Sequence, residues 1–505
     1  MHDPKSPADL EGQQAHDTKE KPGAVVSDEK VEIGSSGGGS PTPVSKDVDF
    51  EQEIDPVAEA RLLRKLDWIL LPMFTAIYCC NFIDRTNIGN ARVAGLEADL
   101  GMEGADLNVA LTVFYVCYIL SDIPSNLLLK RFGSPWLAFL VVGFGLVSVC
   151  SAFLHNFSGL IATRVFLGLT EGGTLYYRRQ ELITRVGIFF GLVGGLLASG
   201  LLRLPDMGSV KTWRKIFLIE GVITTLFGII LFFILPDDPI KSRLLSPEER
   251  RMVIARKNRD DAHLAKDGAG GEPEKTTWKL VWRSFSFTTV ACTLGFIMIN
   301  MSFQGLSLFL PSVIRSLGRY STVEIQLRTV PPYLASAVWA VANAFLSSRI
   351  RMRWLPLLYN TLFGVAGYAI SVSTQNSQAR YAACFLIIIA GGIVGPMLVI
   401  WGTDNAAPDT MRAVVSGAIP GIGAIGAVMA VWTYLPSDAP NYRKGNLGNL
   451  GTMSTLCVII CTMAVYIKLE NAKRERGGRD YRLEGKTEEE LRNLGYRHPE
   501  FRYQI

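Results

Sequence analysis

Histidine is scarce in this chain, and the few that occur stand away from its apolar runs. Five of the 505 residues are histidine (His2, His16, His155, His263 and His498). None falls in the middle of an apolar run, so histidine catalysis or zinc ligation inside such runs has almost nothing to work with. No HExxH pattern occurs either. All eight cysteines (Cys79, Cys80, Cys117, Cys150, Cys292, Cys384, Cys457 and Cys461) lie inside apolar runs and read as small packing residues rather than as a disulfide framework or a metal site. No metal and no other cofactor is expected. Charge is thin as well: Asp, Glu, Lys and Arg make up 19% of the residues, and the net charge is +5. That charge sits in clusters between the apolar runs, which points to membrane orientation and not to a nucleic-acid partner. No apolar stretch with basic flank and small-residue cleavage site precedes the first long run, so no cleaved signal peptide is expected.

What the chain has is apolar length. Hydrophobic residues make up 49% of it, and they fall in runs of membrane-crossing length rather than at amphipathic spacing. Twelve such runs are predicted. They begin near Trp68, Val109, Trp136, Phe157, Val186 and Trp213, then near Phe285, Val330, Trp354, Tyr381, Ala413 and Thr452. The expected fold is an all-α membrane protein with twelve transmembrane helices in two six-helix bundles. The expected domains are a disordered tail (1–54), an N-terminal bundle (55–235), a charged central loop (236–283), a C-terminal bundle (284–469) and a soluble tail (470–505). Asp55 and Pro56 should start the first helix, and Ser246 should cap a short helix through SPEE in the loop. Lys130, Arg131, Arg178, Arg179, Arg185, the loop, Arg349, Arg351, Arg353 and the KRER near the end fall on one side of the twelve-run count. The positive-inside rule makes that side, and both termini, cytoplasmic.

One stretch stands out against this apolar background. TRVFLGLTEGG, from Thr163 to Gly173, puts Arg164 and Glu171 inside an otherwise apolar segment. Seven residues are two helical turns, so both charges share a face about 10 Å apart. A charge at mid-bilayer costs roughly 2.5–3.5 kcal/mol, which makes such residues candidates for a substrate pathway. Asp84 and Arg85, expected at the far end of the first span, would add a second carboxylate and a second cation. Such a cluster can act as a switch: a substrate carboxylate pairs with an arginine once a protein carboxylate lets go, and protonation releases it. The alternative for each pair is a static role, the first marking the wet end of its helix and the second positioning a helix.

Other polar residues within the runs are weaker candidates. Tyr115 and Tyr118, Asn300 and Gln304, and Asn343 could each meet a ligand, or could tie helices together at about 0.6 kcal/mol apiece. Gln304 is preferred among them, since it stands mid-span beside Gly305. Trp401 and Asn405, in WGTDNAAPDTMRA, fall at the inner end of the tenth run, where gating or helix capping competes with substrate contact. Asp122 should have a structural partner that the sequence does not name.

The motifs NFIDRTNIGNA, RVFLGLTEGG followed by YYRRQE, and WGTDNAAPDTMRA with GYRHPEFRYQI occur in the order seen in the fungal anion:cation symporter family of the major facilitator superfamily. The chain resembles that family from about Asp55 to Ile505, and within it the allantoate and nicotinate permeases most. The resemblance implies a proton-coupled carrier of a small organic carboxylate, with an organic anion, protons and the bilayer as its partners and no obligate second subunit. It further implies that Arg85 holds the substrate anion, that Asp84 and Glu171 serve proton coupling, and that Arg164 pairs with Glu171. Arg164, Gln304, Tyr115 and Asn405 complete the expected substrate-binding set. A plasma-membrane location is implied as well. An exporter of a secondary metabolite or a non-transporting nutrient sensor on the same scaffold stays open. A membrane-embedded enzyme is disfavoured by the absence of mid-span histidine, of an HExxH motif and of paired cysteines.

Two departures from the family pattern stand out. After the second run Asn126 and Lys130 replace the superfamily's usual glycine and acid, while Arg131 and Gly133 remain. Relatives also continue past EGG through a proline-containing turn of helix, whereas here Thr174 and Leu175 lead directly into Tyr176. The fourth and fifth spans are therefore expected to be short.

Overall fold

In a computed structural model of the chain, the described residues are 56–172, 190–205, 210, 212–235, 245–253, 278–350, 352–485 and 494–505. The expectations for the tail 1–54, for Asp55, and for the segment joining the fourth and fifth spans lie outside them. The regular elements are helices. They are α1 (Pro56–Val93), α2 (Leu96–Asp99), α3 (Asp106–Phe132), α4 (Ser134–Ser151), α5 (Phe157–Glu171), α6 (Phe190–Arg203), α7 (Arg214–Ile234) and α8 (Trp278–Ser284). Then follow α9 (Phe287–Leu317), α10 (Thr322–Ile350), α11 (Trp354–Ser373), α12 (Ser377–Asp404), α13 (Asp409–Gly423), α14 (Ile425–Val431) and α15 (Arg443–Glu475).

Counting α13 and α14 as one broken span, these helices match the twelve predicted runs, with α2 and α8 as short additions. Among the described residues, eight of the spans are long and apolar enough to cross a membrane on length and composition. Helix α5 has 15 residues and ends at an extended Gly172; at about 1.5 Å per residue it reaches only about 22 Å, short of the roughly 30 Å hydrocarbon layer. The break in the eleventh span falls at Ala424, after Pro420 and within GIGAIGA. The last span starts at Arg443, nine residues before the expected Thr452, because Asp438 Oδ2 caps it, accepting from the backbone N–H of Lys444 at 2.7 Å and of Gly445 at 3.2 Å.

Packing repeats with a six-span offset. Helix α4 lies against α7 as α11 lies against α15; α3 meets α5 as α10 meets α12; and α1 meets α6 as α9 meets α14. This is the pattern of two like six-helix halves. The halves meet through α1 and α9, α3 and α14, and α6 and α10. Side-chain hydrogen bonds between them gather at one end, where α1 finishes and α3 begins. Asn108 Nδ2 donates to Val431 O at 2.6 Å, Trp432 Nε1 to Thr112 Oγ1 at 3.1 Å, and Gln326 Nε2 to Asn90 O at 3.4 Å. The opposite end carries the C-terminal segment: Arg353 donates its backbone N–H to Ile505 O at 2.7 Å and pairs with Asp404 at 3.2 Å.

Glycine sets the closest crossing relevant to function. A Cβ on Gly168 of α5 would stand 2.5 Å from Phe114 O, 2.8 Å from Cys117 Cβ and 3.0 Å from Tyr118 N. Two of those three atoms are α3 backbone, which cannot rotate away, so only glycine lets the short α5 lie this close to α3. In the central loop the expected cap is present: Glu249 N donates to Ser246 Oγ at 3.2 Å, and Ser246 N to Glu249 Oε2 at 2.8 Å. Asp122 accepts a hydrogen bond from Asn126 Nδ2, one turn on, at 3.2 Å.

Candidate functional site

Asp84 and Arg85, expected at the far end of the first span, lie inside their helix. Helix α1 continues for eight residues beyond Arg85 to Val93, about 12 Å of helix, and Asp84 is 6% exposed. A run of buried polar groups lines this part of α1, comprising Asn81, Asp84, Asn87 and Asn90. Groups of this kind cost several kcal/mol in hydrocarbon unless they meet polar partners; here Asp84 meets Ser148 of α4 and Asn87 meets Glu220 of α7.

Arg85 is the centre. Its Nε donates to Glu171 Oε2 at 2.6 Å, with side-chain exposures of 11% and 0%. The guanidinium carbon lies 4.4 Å from the centre of the Tyr118 ring and 5.6 Å from that of Phe114, positions in which a desolvated cation gains up to about 2 kcal/mol from an aromatic face. The close α3–α5 crossing at Gly168 therefore brings together the two sides of this arrangement: α5 supplies the acid one turn beyond the glycine, and α3 supplies the rings.

The pairing differs from what the resemblance implied. Arg164 shares a buried face of α5 with Glu171, as the seven-residue spacing predicts, yet Glu171 pairs with Arg85 of α1. Arg164 is 2% exposed, lies 5.8 Å from the Phe217 ring of α7, and has no hydrogen-bond partner at Nε or Nη2 among the described residues. Asp84 accepts from Ser148 Oγ of α4 at 2.8 Å, and its Oδ2 has no partner there either. Tyr115 is buried, with an unpartnered hydroxyl.

Sequence reasoning missed Glu220. It is a buried carboxylate of α7, 6% exposed, hydrogen-bonded to Asn87 Nδ2 of α1 and unpartnered at Oε1. The signal was available: a lone acid in FLIEGVITT meets the same intramembrane-charge test that singled out Glu171. Asn87 and Ser148 carry no such signal, because uncharged polar residues are common in membrane helices.

The remaining candidates scatter. Gln304 is half-buried on α9, next to the Gly305 contact with Thr433. Asn300 donates to Gly423 O at 3.0 Å, tying α9 to α13. Asn343 bonds with Tyr359 and Asn360, tying α10 to α11. Asn405 is engaged with the C-terminal segment: its Nδ2 donates to Trp401 O at 2.9 Å and Gln504 O at 3.1 Å, and its Oδ1 accepts from Gln504 N at 2.7 Å. With Trp401 Nε1 donating to Gln504 O at 2.9 Å, these residues clasp the C-terminal segment. Among the described residues no group of three or more His, Cys, Asp or Glu side chains is placed to hold a metal ion.

Apolar spanning helices arranged as two like halves, with Asp84, Arg85, Arg164, Glu171 and Glu220 set among them, define a multi-pass membrane transport protein. The model of the Major Facilitator Superfamily matches residues 74–176 and 180–431, and the chain belongs to that superfamily. The match breaks in the stretch where the chain departs from the family pattern. An uncharacterized transporter of Schizosaccharomyces pombe, C1683.12, is 33% identical over 411 residues, covering 78% of this chain and 83% of the relative. The major facilitator-type transporter hxnP of Emericella nidulans is 28% identical over 477 residues, 89% and 94% of the two chains. Among solved structures, a bacterial homologue of the human lysosomal transporter Spinster, in an inward-facing and occupied conformation, superposes with a TM-score of 0.58 at 15% identity. That superposition covers 81% of this chain and 97% of that one, and shows the shared fold. The chain is a transporter of this superfamily and not an enzyme.

Proposed function

We propose that the protein carries a small organic carboxylate together with protons, by alternating access, across a fungal plasma membrane with both termini cytoplasmic, and that it works as a monomer. The observation that carries this reading is the Arg85–Glu171 pair, buried in the interior of α1 and α5. A pair of this kind is strongly destabilised when one partner is removed. The same holds when Glu171 takes up a proton: Arg85 is then left without its counter-ion, and a substrate carboxylate can replace it. The buried, unpartnered N–H groups of Arg164 and the Tyr115 hydroxyl are further donors for that carboxylate. Asp84 and Glu220 each keep one carboxyl oxygen unpartnered, so they can hold protons between the half-reactions. Gln304 of α9 would contribute from the second half, and alternating access would open and re-form the bonds made by Asn108, Trp432 and Gln326 between the halves.

The motif resemblance favours nicotinate, allantoate or a related ureido acid. Basic residues at the end carrying the C-terminal segment, Arg353 and Arg474 among them, support a cytoplasmic assignment for that end. The test is uptake of a panel of radiolabelled carboxylates in permease-deficient cells, with and without a protonophore. Accumulation of at least one carboxylate, abolished by the protonophore, is expected. Accumulation that ignores the protonophore would overturn symport.

A further inference from the structure

The C-terminal segment, α15 and the start of α9 line a half-open cavity of about 370 Å³, within the range of about 300–1,000 Å³ typical of small-ligand sites. Four arginines line it, Arg474, Arg479, Arg482 and Arg497, against a single acid, Glu470. That acid is already used. It accepts from Arg474 Nε at 3.2 Å, Arg479 Nε at 2.9 Å and Arg479 Nη2 at 2.7 Å. Arg474 also secures the segment, donating from Nη1 to Phe501 O at 2.7 Å and His498 O at 3.3 Å. Among the described residues Arg482 and Arg497 have no acidic partner; Arg482 donates from Nη1 to the Arg497 carbonyl at 3.0 Å and from Nε to the Tyr481 hydroxyl at 3.4 Å. Four cations against one anion leave the lining with a charge of +3. The phenol of Tyr481 beside it is held below the ordinary phenol range by its hydrogen bond with Arg482 and by Arg479.

A second feature locates this cavity in depth. Trp278 and Trp282 of α8 are 80% and 75% exposed, and Phe285 and Phe287, on the cavity wall, are 38% and 48% exposed. Exposed tryptophans at the end of a spanning helix mark the lipid headgroup level. Phe287 and Thr288, the first residues of α9, belong to the same wall, and a helix N-terminus favours an anion.

We propose that this cavity binds a phosphate-bearing anion, with Arg482 and Arg497 as its free cations and the headgroup of a phosphoinositide or free phosphate as its source. Guanidinium groups take phosphate oxygens in bidentate fashion, and basic pockets at this depth recognise anionic headgroups. The bound anion would join α15, the C-terminal segment and α9, so occupancy would rigidify the face to which Asn405 and Trp401 also hold the tail.

The full chain in phosphatidylcholine nanodiscs tests this, by native mass spectrometry with phosphatidylinositol 4-phosphate added at a few per cent, and by equilibrium binding of radiolabelled inositol 1,4-bisphosphate and of inorganic phosphate. The double variant Arg482→Gln/Arg497→Gln should lose about tenfold or more in binding. The single variant Arg497→Gln, whose side chain is exposed, should lose part of it without affecting folding. The charge-matched control Lys473→Gln/Arg476→Gln, outside the cavity, should bind as the wild type does. Binding of the lipid alone assigns the site to the headgroup, and equal binding of the soluble phosphates assigns it to free phosphate. Absence of binding by all three probes, or equal binding by the wild type and both arginine variants, would overturn the proposal.

Discussion

Replacing Glu171 by Gln leaves the Arg85 guanidinium buried beside Tyr118 with its counter-charge gone, and the size of the penalty can be set in advance. Both side chains are out of solvent, at 11% and 0% exposure. Removing one partner of such a pair costs about 3–5 kcal/mol, while removing both costs far less, because no uncompensated charge remains. Helical units of 150–250 residues lose about 2–4 °C of melting temperature per kcal/mol. Glu171→Gln and Arg85→Gln should therefore each lower the melting temperature in detergent by on the order of 10 °C. The double variant should recover at least half of one single loss. The coupling energy of this cycle, read by size-exclusion survival after heating, is expected at about 2 kcal/mol or more, within the range found for contacting groups. A coupling near zero, with the two losses simply adding, would refute the claim that the two side chains hold each other in the resting protein.

Three further outcomes follow from the geometry. Gly168→Ala pushes a methyl group into Phe114 O and Cys117, which should cost about 1–3 kcal/mol and lower uptake by separating Glu171 from Arg85; uptake and melting temperature equal to wild type would contradict the close crossing. Asn405→Ala removes three hydrogen bonds at the C-terminal clasp and should cost about 1–3 kcal/mol with KM for substrate unchanged; a tenfold rise in KM at full stability would return Asn405 to the substrate site. Glu249 in the central loop is held below the ordinary carboxylate range by hydrogen bonds from Lys65 and from the Ser246 backbone N–H. The stability it lends the short helix is therefore present above the ordinary pKa of about 4.3 and lost as pH falls through the lowered one. Hydrogen-exchange protection at Arg250 to Val253 should fall in that window, and Glu249→Gln should remove the pH dependence; protection unchanged down to pH 3 would contradict the pairing.

Charge was the most legible part of this site. Arg164 and Glu171 stood out because an ionised group in an apolar run is costly, and their spacing correctly put both on one buried face. The partner of Glu171 was not legible, because it depends on how closely α5 approaches α3, which Gly168 decides through atoms of another helix. Asp84 and Arg85 were misplaced at a helix end because the polar run NFIDRTNIGN reads as a boundary, whereas it is the buried face of a continuing helix. Asn405 was drawn into the site by its motif, and only the return of the chain 99 residues later shows what its amide holds. The helices themselves followed from run length. The exceptions were those whose ends depend on local caps, such as α15 with Asp438, or on glycine and proline, as at the α13–α14 break.

The central claim is that carboxylate and proton move together through the Arg85–Glu171 site. Its most direct test is proton flux in proteoliposomes loaded with a pH-sensitive dye, recorded as a transported carboxylate is added outside at equal pH without an imposed gradient. Internal acidification that tracks carboxylate entry is expected, with Glu171→Gln retaining carboxylate exchange but moving no protons. Carboxylate entry without acidification in the wild type, or acidification undiminished in Glu171→Gln, would contradict it.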